Sequence, residues 1–183
     1  MRFQLSLNAP VLTGAALLGG PALAQTLAQT LVQTSTQTPT QTSASPPRTL
    51  TPPAGWVAAG SGTWRDSSGA CVLRVQQFSK PFAVLASQTQ ALTLGGKLQR
   101  ALSQSGMNSV TFQPVGPPDS GLTPPGEWGV LAAYTYAQAG VSYQIAQLYF
   151  SQGGQLRTVT GSNSAGEASA CVNTMRNFLK GKL

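Results

Sequence analysis

The chain has 183 residues, a formal net charge of +7 and no histidine, and only 8% of its residues are charged. A globular chain usually carries about 25% charged residues, so neutral Ser, Thr, Gln and Gly must cover most of this surface. The length suits one domain of ordinary size, and the missing histidines exclude Ser-His-Asp, Cys-His and His-ligated zinc chemistry.

Read in order, the first 24 residues have the form of an export signal. Arg2 supplies a weak positive region, Ala9–Leu23 is apolar and small, and Ala22-Leu23-Ala24 fits an A-x-A cleavage site before Gln25. The apolar stretch is shorter than the roughly 20 residues of a good membrane span. From Gln25 a Gln-Thr pair recurs every four residues, at 25, 29, 33, 37 and 41, and a Pro-rich stretch runs on to Pro53. Such a repeat cannot build a core, so residues 25–53 are expected to form a disordered tether. One globular domain is expected over 54–183.

That domain should open with short strands at Trp56–Ala58 and Thr63–Arg65. A turn at Asp66-Ser67-Ser68-Gly69 then leads into a strand over Ala70–Phe78 with Cys71, Leu73 and Val75 facing the core. Ser87–Ser105 reads as a helix, with Ala91, Leu94 or Gly95, Leu98 and Leu102 at three-to-four spacing and Gly106 as its stop. Gly95-Gly96 argues against a helix interior unless the backbone packs closely on a sheet. Ser109–Val115 reads as an edge strand because of Pro114. A Pro-rich loop, 116–126, precedes a three-strand meander that turns at Ala139-Gly140 and Gly153-Gly154. Trp128, Val130, Ala132, Tyr134 and Tyr136 share one face of its first strand. Ser164 to Glu167 has the form of a capping box, launching a last helix with Cys171, Met175 and Phe178 on its inner stripe.

The fold class expected is therefore α+β. An antiparallel sheet of about five to six strands carries a central helix and a C-terminal helix, in the order β-hairpin, helix, meander, helix. Cys71 and Cys171 both point inward and form an even pair in an exported chain, the setting of a disulfide. This order of elements, opening with Pro53-Ala54-Gly55-Trp56, resembles the PsbP-like superfamily of α/β/α sandwiches. The resemblance covers about residues 50–183 and implies a non-catalytic accessory or binding protein, with no functional residue carried over by motif. A cystatin-like or lipid-cradle α+β fold would give a similar string.

Catalytic residue types are scarce. Asp66 and Asp119 sit in turn sequences, Glu167 belongs to the capping box and Glu127 begins a strand. Gly60-Ser61-Gly62 meets Arg65 where a dinucleotide fingerprint needs its third Gly, and no G-x-S-x-G or S-x-x-K occurs. Neither a catalytic residue, a metal site nor a cofactor is expected. Binding is the stronger class. The candidate surface is the proline loop with its apolar neighbours, Pro117, Pro118, Leu122, Pro124, Pro125 and Trp128. Arg74 and Arg157 join it if they share a sheet face with Tyr134 or Tyr143 as a basic-aromatic platform. The function expected is that of an exported, non-catalytic accessory or binding domain of the cell envelope, secreted or periplasmic, docking a protein partner. A polyanion binder (nucleic acid or acidic glycan) and a small-molecule or lipid carrier are the alternatives.

Overall fold

A computed structural model describes residues 50–116, 126–164 and 170–181. The stretch expected as an export signal, 1–24, and most of that expected as a tether, 25–53, lie outside these residues. So do Pro117, Pro118, Leu122, Pro124 and Pro125 of the candidate surface.

The strands are β1 (Val57–Gly60), β2 (Thr63–Arg65), β3 (Cys71–Pro81), β4 (Asn108–Val115), β5 (Gly129–Gln138), β6 (Val141–Gln152) and β7 (Gln155–Ser164). The helices are α1 (Gln88–Gln104) and α2 (Cys171–Leu179). All seven strands form one sheet in the order β1-β2-β3-β7-β6-β5-β4, and every neighbouring pair is antiparallel. The count exceeds the five to six expected because β1 and β2, only four and three residues long, pair with each other across an irregularity at Ala58–Gly60 and extend the sheet beyond β3. Two meanders, β1-β2-β3 and β4-β5-β6-β7, meet where β3 pairs with β7. The connection through α1 carries the chain from β3 in mid-sheet to β4 at the far edge.

Local chemistry sets most of these boundaries. Ser87 caps α1 by accepting a hydrogen bond from the Gln90 amide, and the Gln90 side chain reaches back to the Ala86 amide at 2.8 Å. At the other end Gly106 takes φ +82°. The Gly106 amide donates to Ser103 and the Met107 amide to Leu102, which closes the helix in a Schellman motif. Ala139-Gly140 and Gly153-Gly154 all have positive φ, as two-residue hairpins that follow the strand twist require. Asp66 accepts from the Cys71 amide at 2.8 Å and from the Ser68 amide at 3.2 Å, so its turn delivers Cys71 to the start of β3.

The capping-box expectation at Ser164 is corrected. Ser164 is the last residue of β7, held extended opposite Tyr143 of β6. Helix α2 begins at Cys171 behind Ala170, which makes no side-chain capping bond. Glu167 lies outside the described residues.

The alternation of each central strand divides the core in two. On one face Val130, Ala132, Tyr134, Ile145, Tyr149 and Leu156 form a core with Ala91, Leu98 and Leu102 of α1 and with Phe82 and Leu85 of the segment before it. On the other, Leu73, Leu131, Leu148, Phe150 and Val159 pack beneath Met175, Phe178 and Leu179 of α2. Leu50, within the segment read as tether, packs against this second cluster. Cys71 and Cys171 are joined in a disulfide between Cα atoms 6.1 Å apart. They are the first residues of β3 and α2, so the bond pins the helix to the sheet at its entry point.

Candidate functional site

Helix α1 lies over β4 and β5. Over β6 and β7 on that side Phe82 and Leu85, from the connection between β3 and α1, join the same core, with Phe82 hydrogen-bonded to Ser151 and Gly154, and further along these strands the sheet changes character. The registers align three cross-strand rows on this face. The first runs from Ala132 through Gln147 and Thr160 to Arg74 and Thr63. The second runs from Val130 through Tyr149 and Thr158 to Gln76, and the third from Tyr134 through Ile145 and Ser162 to Val72. An apolar floor on β5 thus gives way to a polar strip on β6, β7 and β3.

The centre of the strip is buried. Gln147 is 0% exposed, Thr158 1% and Thr160 4%. Tyr149 donates its hydroxyl to Gln147 Oε1 at 2.6 Å, and Tyr134 donates to the same oxygen at 3.3 Å. Two donors on Oε1 fix the orientation of the amide and turn its NH2 group away from the tyrosines. That nitrogen, Thr158 Oγ1 and Thr160 Oγ1 are buried with no hydrogen-bond partner among the described residues. Leaving a polar group buried and unpaired costs about 1–3 kcal/mol each, so three on one face are a feature that the packing of the chain alone does not justify. Burial pushes both tyrosine hydroxyls well above their ordinary range, and their mutual proximity adds to this for Tyr149. Both stay protonated and remain donors to Gln147.

Arg74, on the next strand from Thr160, is partly buried. No acidic side chain of the described residues shares this face. Asp66 is engaged by Ser68 and Cys71 at its turn. Glu127 precedes β5, and burial raises its carboxyl above the ordinary value. At the β5–β6 end the strip meets Tyr136 and Tyr143, stacked with ring centroids 5.2 Å apart.

The structure does not assemble the basic-aromatic platform. Arg74 faces the α1 side with Tyr134 and Tyr143, whereas Arg157 pairs opposite Phe150 and Gln77 on the α2 side. There Arg157 hydrogen-bonds Gln152, and burial lowers its pKa. Tyr134 is 3% exposed and belongs to the core. Trp128 is partly buried, bridges to Leu85 through its amide at 2.8 Å, and lays its ring so close over Gly116 that a Cβ there would meet it at 2.2 Å. It closes the core edge. Among the described residues the one grouping of three ligand types, Asp66, Cys71 and Cys171, spends both sulfurs on the disulfide and offers no metal site.

Sequence reasoning passed over Gln147, Thr158 and Thr160. The available signal was Thr158-x-Thr160-x-Ser162, three hydroxyls on one side of a strand whose other side is core. Joining it to Arg74 required the β3–β7 register. Compared with protein-family models, curated proteins and solved structures, the chain matches none.

Proposed function

We propose that this chain is an exported, non-catalytic binding domain of the cell envelope that takes its ligand on the α1 side of the sheet, over β6, β7 and β3. One observation carries this reading: Gln147, Thr158 and Thr160 bury polar atoms that find no partner among the described residues. A domain with only a scaffolding role gains nothing from such a strip, whereas a ligand that pairs those atoms recovers their lost hydrogen bonds. The Cys71–Cys171 disulfide supports an oxidising compartment. No described helix is long and apolar enough to cross a membrane. The accessory role implied by the PsbP-like order of elements agrees with a domain lacking the usual catalytic side chains.

Among the alternatives the observation favours a small molecule. The polyanion reading loses its platform with Arg74 and Arg157 on opposite faces. The protein-docking reading leans on the 117–125 segment, outside the described residues. The test is hydroxyl-radical footprinting of the full chain in its export compartment against the purified chain. Protection at Tyr143, Tyr136 and Val72, with none on exposed Arg176 or Asn177 of α2, is the expected result. Equal labelling of both faces in both settings would refute binding on this side.

A further inference from the structure

The unpaired atoms also define what they would bind. Gln147 Nε2 can only donate, and its orientation is set by the two tyrosine hydroxyls on Oε1. Thr158 and Thr160 each bring a hydroxyl able to donate. Arg74 adds up to five donors and a permanent charge one strand away from Thr160. A threonine hydroxyl can donate or accept, so the amide of Gln147 and the guanidinium of Arg74 are what tip the strip toward donors. With Asp66 and Glu127 placed elsewhere, no carboxylate of the described residues neutralises Arg74 on this face.

From this donor excess we propose that the strip is a site for a small oxyanion, a molecule bearing a carboxylate or a phosphate, seated between Arg74 and Gln147 over the hydroxyls of Thr160 and Thr158. The proposal rests on the binding reading above and adds the ligand class to it. Its size follows from sheet geometry. From β6 to β3 is two strand spacings, about 10 Å, and Thr158 to Thr160 is about 7 Å along β7. That footprint matches a dicarboxylate or a phosphate monoester and is too small for a polymer backbone; with Gln147, Thr158 and Thr160 only 0%, 1% and 4% exposed, the side chains around them must shift to admit it. A planar guanidinium forks onto two oxygens of either group, and a hydroxyl and an amide N–H complete the cradle. The buried end at Thr158 and Gln147 would take the charged group away from water. The partly buried end at Arg74 and Ser162 is where the rest of the molecule would leave the protein.

The experiment titrates inorganic phosphate, succinate and glycerol, a neutral control, into the oxidised full chain at constant ionic strength held with sodium chloride. The Gln147, Thr158, Thr160 and Arg74 resonances are followed. Saturable shifts at these residues with phosphate, with succinate or with both are expected, and none with glycerol. Phosphate alone would assign a phosphate ligand and succinate alone a carboxylate. Thr160→Val and Thr158→Val should each weaken binding about fivefold or more without lowering the melting temperature of the ligand-free protein. Thr160→Ser, which keeps the hydroxyl, should bind like the parent. No saturable shift with either anion would overturn the proposal, as would an equal response to glycerol or unchanged binding by both valine variants. A valine variant that melts several degrees lower without ligand would also overturn it, because the hydroxyl would then be paired with structural water. Footprint protection on the α1 side with no anion response would reject the ligand class and leave the binding face. Absent protection would reject the face itself.

Discussion

Gly95 and Gly96 are adjacent in α1, and the structure gives them opposite fates. Replacing glycine by alanine in a helix interior gains about 0.5–1 kcal/mol through backbone entropy. At Gly96 a Cβ meets nothing within 4 Å, so Gly96→Ala should realise that gain. At Gly95 the same atom would lie 2.1, 2.5 and 2.8 Å from three carbons of the Phe112 ring on β4. The first of these is 1.3 Å short of ordinary contact at 3.4 Å. A ring wedged between helix and sheet cannot swing aside as a flexible chain end would, and overpacking of this kind costs about 1–3 kcal/mol. Gly95→Ala should therefore be less stable than Gly96→Ala by about 1–3 kcal/mol, or several degrees in Tm at about 2–4 °C per kcal/mol. Urea unfolding of both variants and the parent, followed by circular dichroism, measures the difference as a shift in midpoint at constant slope. A Gly95→Ala protein as stable as Gly96→Ala would refute the close approach of α1 to Phe112 and the placement of α1 over β4.

Other consequences can be measured on the same preparation. The disulfide closes a loop with a sequence separation of 100, which the chain-entropy account values at up to about 4.7 kcal/mol. Reduction should lower Tm by roughly 10–15 °C, and two thiols should titrate after reduction and none before; an unchanged melt would remove the staple from the account. At Asp66 burial acts to raise the carboxyl, but the hydrogen bonds from the Ser68 hydroxyl and the Cys71 and Ser68 amides outweigh it, and the net pKa falls below 3.8. Folding is thus favoured by ionised Asp66 above its unfolded pKa, and this contribution disappears as pH falls through the folded value. Asp66→Asn should be less stable than the parent at neutral pH and converge with it in strong acid; a constant gap across that range would contradict the assignment.

Much of the fold was legible because it is written locally. Ala139-Gly140 and Gly153-Gly154 announce hairpins whose backbone sign only glycine-rich pairs hold comfortably, and alternation along β5 puts Val130, Ala132 and Tyr134 on the face they share in the core. Ser87 and Gly106 bracket α1 to within a residue. Cys71 and Cys171 fell on inward positions of a strand and a helix, and they are bonded. What failed was decided at a distance. Ser164 has the local form of a helix cap, but pairing with Tyr143 keeps it in the sheet. Arg74 and Arg157 could be placed on faces only once β3 and β7 were aligned, and the alignment separates them. The same long-range register, 71 against 163, brings Arg74 beside Thr160 and turns three unremarked polar residues into one strip. Periodicity marks a Thr in a strand as polar and outward; only the assembled sheet shows that Thr158 and Thr160 are buried.

Binding at that strip is tested most directly by a charge-matched pair of variants. Arg74→Met removes one positive charge from the α1 side, and Arg176→Met removes one from exposed α2 on the other side. At equal ionic strength Arg74→Met should loosen the Kd for phosphate or succinate about tenfold or more, and Arg176→Met should leave it within about twofold. Equal weakening by both variants would mean that the protein attracts anions by net charge alone and that the strip is no site.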